Sequence, residues 1–351
     1  MKILVLGGGQ QGRVIAADLA RSLPSVEIHV ADVRAPSLPA LLNLRWIEAD
    51  LADASATARL LAQHDFGVGA LPSHLGYGAM RAAIEARRTL VDVSFCEQNA
   101  LALDAEAKAA GIAILPDCGL APGLSHLAVG RVAAAGTPDD VTIMVGGVAE
   151  DATRPYGYVV TWSLDDLLQE YLRPARVVME GRPTTVPVFS GMERVTVDGV
   201  GEMEAFFSDG LRTLIETLPG VQTMGEKTLR WPGHATAVRP LVAAGRMVEE
   251  FRARCVSDPP LDLVALVVRV RRGARERTMT LVDRYDPRTG LTAMARTTAL
   301  TTSAVAQLVA AGGVRAHGVL PLETLGPDEA SYAFITQGLE GRGVHLRWRE
   351  S

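Results

Sequence analysis

The stretch KILVLGGGQQGRVIAADLARS, residues 2–22, decides how the first third of the chain folds. Ile3, Leu4, Val5 and Leu6 make a short apolar strand, Gly7, Gly9 and Gly12 punctuate the turn after it, and helical periodicity follows from Gln11 to Leu23. A strand, a glycine turn and a helix in that order are the opening βα unit of a dinucleotide-binding sheet. Gly7 permits the tight turn, Gly9 lets backbone approach a pyrophosphate, and Gly12 lets the helix pack on the strand. Gln10 and Gln11 complete the turn, whose free N–H groups and helix dipole favour phosphate charge.

Working outward, VEIHVAD ends on Asp32, about 20 residues beyond Gly12, where a carboxylate accepts from the adenosine ribose hydroxyls. That carboxylate repels a 2′-phosphate and favours NAD. Arg34, across Val33, is the residue type that serves NADP, so both cofactors stay open. Further strand candidates are LRWIEAD, FGVGALP, TLVDVS and IAILPD, separated by helical segments at 54–63, 77–86 and 99–110. Alternation of this kind predicts a doubly wound parallel Rossmann sheet. Asp50 and Leu51 close the third strand and Ala70, Leu71, Pro72 and Ser73 the fourth, at the carboxyl edge where adenine and nicotinamide lie in such sheets.

From Val141 the pattern changes to longer alternating strands: LDLVALVVRVRR, ERTMTLVDRYD and LTAMARTT, with turns RGA and DPRTG, predict an antiparallel meander in a second, α+β domain. A helix begins at Ser163, where S-L-D-D offers a capping box, and stops at Arg173 before Pro174. A last helix is expected near 302–311.

With 351 residues, 48% of them apolar, two cores are expected. A net charge of −5 provides no basic field for nucleic acid, which points to small molecules. Cys96, Cys118 and Cys255 are dispersed, so neither a disulfide framework nor a zinc site is signalled. The absence of a signal-peptide pattern and of an apolar run of ~20 residues predicts a cytoplasmic protein with no membrane partner.

PDCGLAPGLS (116–125), VTWSLDDLLQEYLRPARVVMEG (160–181), FFSDGLRTLIET (206–217), TLRWPGH (228–234) and TAMARTT (292–298) occur in order over most of the chain. On these motifs it resembles the saccharopine dehydrogenase-like family, and within it the L-lysine 6-dehydrogenases. The resemblance implies a Rossmann domain formed by 1–121 plus 297–351, an inserted domain over 122–296 for substrate and dimer contacts, and a homodimer. It implies oxidation of an amino-acid amine with NAD. For the lysine enzymes, hydride leaves the ε-carbon, water attacks the imine, ammonia departs, and the 2-aminoadipate semialdehyde cyclises to piperideine-6-carboxylate. Saccharopine reductases carry Asp before Pro-Gly and an aromatic after the fourth-strand proline; here these positions are Ala121 and Ser73, which weighs against reduction of a glutamate adduct.

Amine oxidation needs a base, a cation for the substrate carboxylate and an anion for its α-ammonium. Arg212 and Arg230 lie in family motifs and suit a carboxylate, or else an interdomain salt bridge. Asp209 suits the α-ammonium, or else caps the following helix. His234, Asp117 and Glu97 are the candidate bases, the first because an imidazole titrates near neutrality. Tyr158 and Trp162 either wall the substrate or belong to the core. Cys118 has no base partner and is not expected to act as a nucleophile. Three readings remain open: an ε-amine dehydrogenase, a saccharopine-type enzyme acting on an imine adduct, and a catalytically inert dinucleotide-binding regulator.

Overall fold

Lys2–Leu6 (β1) is buried over its last four residues, as expected of a strand covered on both faces of a parallel sheet. The computed structural model describes residues Met1–Ser351. Beside β1 run Glu27–Asp32 (β2), Leu44–Glu48 (β3), Phe66–Gly69 (β4), Leu90–Asp92 (β5) and Ala113–Leu115 (β6). All pair in parallel in the order β6-β5-β4-β1-β2-β3, and a short strand, Gly318–Val319, extends the β6 edge. The order reverses between β1 and β4, the switch point at which open α/β sheets place their ligands.

The chain divides into two compact units, Met1–Leu127 with Thr298–Arg342, and Ala128–Thr297 with Gly343–Ser351. In the first, the helix Gln10–Ser22 buries Val14, Ile15 and Leu19, and Asp53 caps Ala54–Ala62 by accepting from Ser55 and Ala56 N–H at 2.9 and 3.1 Å.

The second unit is built on a mixed sheet. Its strands are Asp140–Ala149 (β7), Ala175–Met179 (β8), Arg182–Val186 (β9), Glu193–Val197 (β10), Gly201–Ser208 (β11), Thr223–Arg230 (β12), Asp262–Arg272 (β13) and Arg275–Arg284 (β14). They run β10-β11-β12-β7-β13-β14, with β8 and β9 branching from β12. The first two strands of the expected meander, β13 and β14, pair antiparallel, and the sheet is mixed because β12 and β7 pair in parallel. The helix Leu164–Leu172 starts where the capping box placed it, with Ser163 Oγ accepting from Asp166 N–H.

Two expectations are corrected. LTAMARTT does not form a strand: Ala293–Ala310 is one helix. Its N-terminus is held by the Asp262 carboxylate, which accepts from Ala293 and Met294 N–H at 2.7 and 2.9 Å, and by Thr292 Oγ1, which accepts from Ala295 N–H at 3.0 Å. The C-terminal tail, assigned above to the first unit, contributes the strand Arg347–Glu350 to the second by pairing antiparallel with β14. The Arg277 guanidinium stacks over the Trp348 ring there at 4.8 Å. No helix is long and apolar enough to cross a membrane.

Candidate active site

The glycine turn is shaped by close approaches of backbone. A Cβ on Gly7, whose φ is +96°, would stand 2.6 Å from Ala70 O, and one on Gly12 would stand 1.9 Å from Gly7 O. Gly9 has no atom within 4 Å of where its Cβ would be, so that side of the turn is open. Gly9 caps the helix without a side-chain hydrogen bond, which leaves first-turn N–H groups for an anion. Gln10 is exposed, whereas Gln11 is half-buried and its Oε1 lacks a hydrogen-bond partner.

Asp32 accepts from Gly8 N–H through Oδ2 at 2.7 Å and from Arg34 N–H through Oδ1 at 3.0 Å. Each oxygen retains a lone pair for a ribose hydroxyl. Val33 and Arg34 are exposed beside it. Asp50 is exposed and turns the chain by accepting from Ala52 N–H, Leu51 and Leu71 enter the first unit's core, and Pro72 precedes the helix that Ser73 begins. Ala70 is tied to β1 by donating to Leu6 O at 2.8 Å. An open glycine, free helix N–H groups and a held carboxylate at the end of β2 fit a dinucleotide.

Along the same carboxyl edge, one strand beyond Gly69, lies a buried carboxyl group that the sequence reading did not single out. Asp92 ends β5 with no exposure. Its Oδ1 accepts from Ser94 N–H at 2.8 Å and its Oδ2 has no partner. A Cβ on Gly69 would stand 1.8 Å from that Oδ2. Burial, with the neighbouring charge of Asp117 adding to it, lifts the Asp92 pKa to about 7.

Asp117 follows β6 at 6% exposure with a φ of 54°. That left-handed backbone is uncommon outside glycine and is retained only where the surroundings over-determine it. Here the next residue, Cys118, donates its N–H to Asp92 O at 2.8 Å, and the loop closes through Leu124 N–H to Gly119 O at 2.9 Å. Burial pushes the Cys118 thiol up, so it supplies no thiolate. Glu97 lies exposed on the loop after β5.

In the second unit, the Glu204 carboxylate accepts from Gly233 and Ala235 N–H at 2.8 and 2.6 Å and so caps the helix His234–Ala243. His234 is thereby fixed, and both ring nitrogens are engaged. Nδ1–H donates to Tyr156 O at 2.7 Å, and Nε2 accepts from the Tyr171 hydroxyl at 2.8 Å, which itself accepts from Arg230 Nε–H at 2.8 Å. Burial and the Arg230 charge push the imidazole pKa down to about 3. The expected titration of His234 near neutrality is therefore absent, because protonation would add a second buried cation.

Arg230 is 3% exposed and pairs with Glu170, which the sequence reading also overlooked. Arg212 is buried with a φ of 49°. Asp209 is held by Arg176, accepting from Nε at 2.8 Å and Nη2 at 3.2 Å, and does not cap the helix Leu214–Thr217. Tyr158 is a core residue whose hydroxyl accepts from the indole N–H of half-buried Trp162 at 2.9 Å.

Residues 3–115 match the saccharopine dehydrogenase NADP binding domain and residues 119–344 the saccharopine dehydrogenase C-terminal domain. The saccharopine dehydrogenase [NADP(+), L-glutamate-forming] of Saccharomyces cerevisiae is 25% identical over 263 residues, 71% of this chain and 59% of that protein. The mitochondrial alpha-aminoadipic semialdehyde synthase of Bos taurus is 24% identical over 265 residues, 70% of this chain and 28% of that one. The chain thus spans less than two thirds of the length of these curated relatives. The structure of apo saccharopine dehydrogenase (L-Glu forming) from S. cerevisiae superposes with a TM-score of 0.77 at 19% identity, covering 100% of this chain and 99% of that one. On the two domain matches, the chain belongs to the saccharopine dehydrogenase family.

Proposed function

We propose that the chain is an NAD(P)-dependent oxidoreductase acting on an amino-acid amine, and that its reaction is the NAD-linked oxidative deamination of the ε-amine of L-lysine or a close amino acid. The observation that carries this reading is the pair of buried carboxyls, Asp92 and Asp117, on the edge that also holds the glycine turn. The bound dinucleotide supplies a hydride acceptor. Lysine presents an ammonium, which must lose a proton before hydride can leave, and the resulting iminium must then be attacked by water. In balance, ammonium, oxidised cofactor and water give aldehyde, ammonium ion, reduced cofactor and one proton.

Asp117 is the group proposed to take that proton and to hold the attacking water. Asp92, retaining its own proton up to about pH 7, keeps the edge from carrying two adjacent negative charges. Ala121 and Ser73, where saccharopine reductases were noted to differ, favour the simple amine over the glutamate adduct. The saccharopine-type reaction stays as the second reading because the yeast relative is named for it. Cofactor reduction measured with lysine and with saccharopine in parallel separates them, lysine being the expected substrate.

NAD is proposed over NADP because the Asp32 carboxylate, held at the end of β2 by Gly8 and Arg34 N–H, would repel a 2′-phosphate. Asp32→Ala should raise the Kd for NAD by about tenfold and narrow the preference over NADP, an effect of ~1.4 kcal/mol on binding. Titration of the variant with each oxidised cofactor checks this; an unchanged NAD affinity would remove the ribose assignment.

A further inference from the structure

The cation expected to receive a substrate carboxylate already has an anion in its own chain. Arg230 is the last residue of β12, and its guanidinium lies between the rings of Tyr158 and Tyr171, 5.6 Å from each centroid. Besides Nε–H to the Tyr171 hydroxyl, Nη1 donates to Leu229 O at 2.9 Å, and Nη2 faces Glu170 Oε1 and Oε2 at 3.2 and 3.4 Å. Thr228, two residues earlier, donates its hydroxyl to the same Glu170 Oε1. The two partners differ in exposure: the Arg230 side chain is 3% accessible and that of Glu170 19%. The carboxylate therefore fills the outward end of a cradle whose inner wall is a buried guanidinium, a threonine hydroxyl and a tyrosine.

We infer that Glu170 occupies, from within the chain, the position of a carboxylate ligand on Arg230, and so sets specificity against substrates that bring a carboxylate there. The inference rests on assigning the second unit to substrate. A buried cation held between aromatic rings requires an anion in contact. In a chain where the substrate provides that anion, the substrate carries an extra carboxylate. Here Glu170 provides it, and an incoming carboxylate meets a like charge, an arrangement that discriminates strongly between ligands. The accepted substrate is then one with a single carboxylate and an amine at the far end, and a glutamate adduct with its further carboxylates is rejected.

The test uses the full chain with Glu170→Ala, which empties the outward end of the cradle and leaves Arg230 uncompensated. Its Tm is expected to fall by roughly 5–10 °C. Sodium formate or acetate should restore much of that loss in a saturable way, beyond sodium chloride of equal ionic strength, and should leave the parent protein unmoved. Turnover of saccharopine relative to lysine should rise by about tenfold or more. Formate rescue no greater than that of chloride, or an unchanged ratio of the two substrates, would overturn the inference. Glu170→Gln keeps the volume and removes the charge; if the alanine variant does not fold, the substrate ratio of the glutamine variant decides in the same way. Formate rescue is read from melting alone, so it stands apart from whether lysine is the substrate.

Discussion

Asp117→Asn should lower kcat by roughly 10²–10⁴-fold, the range for loss of a positioned proton acceptor, while NADH affinity stays within about twofold of the parent. The amide preserves the size of the side chain and the left-handed backbone, which asparagine adopts more readily than most residues. Single-turnover reduction of NAD, alongside a cofactor titration, separates the two effects. A variant that retains parental kcat would remove Asp117 from the chemistry.

The neighbouring carboxyl gives a pH signature. Asp92 holds its proton up to about pH 7 in the folded protein, whereas an unfolded chain releases it near pH ~4. Between those values the folded state binds the extra proton, so this group's contribution to stability is present at low pH and is lost as pH rises toward 7. Asp92→Asn has no such loss. The difference in Tm, variant minus parent, should therefore grow from pH 4 to about 7 and then level. Parallel curves over that range would mean that Asp92 titrates as an ordinary carboxyl.

The second large effect belongs to the turn. Gly12→Val places a Cβ 1.9 Å from Gly7 O, a backbone atom that cannot swing aside as a side-chain tip does. The helix start must move away from β1, and with it the N–H groups that receive the pyrophosphate. NAD affinity should fall by at least about 100-fold, or ~2.7 kcal/mol, with a lower Tm for the first unit. Calorimetric titration of NADH checks the affinity. Undiminished binding in a folded Gly12→Val protein would show that the cofactor phosphates lie elsewhere.

The parts of the fold legible in the sequence are those decided by local chemistry. Buried parallel strands read as apolar runs, and the six strands β1–β6 lie within the segments quoted for them. Ser163 and Arg173 bracket a helix because capping and the proline after it act over a few residues. The reading failed where a distant residue decides. TAMARTT is helical because Asp262, 31 residues earlier, holds its first N–H groups. β9 is exposed over its first four residues and offers no apolar alternation, and the charged tail strand is recruited by β14.

The candidate site divides in the same way. Glycines and carboxylates at strand ends are visible because position along a strand fixes position on the sheet edge. Asp92 carries a usable signal, an acid closing the apolar TLVDVS run, whereas Glu97, five residues on, lies exposed. His234, Asp209 and Glu170 find hydrogen-bond partners in Tyr171, Arg176 and Arg230, which lie 63, 33 and 60 positions away along the chain, and no spacing rule reaches that far.

Lysine deuterated at the ε-carbon, incubated with the protein and NAD, tests the central claim most directly. Deuterium should appear in the reduced nicotinamide in step with ammonia release, and lysine deuterated only at the α-carbon should transfer none. Transfer from the α-carbon, or reduction of NAD by saccharopine and not by lysine, would contradict the assignment.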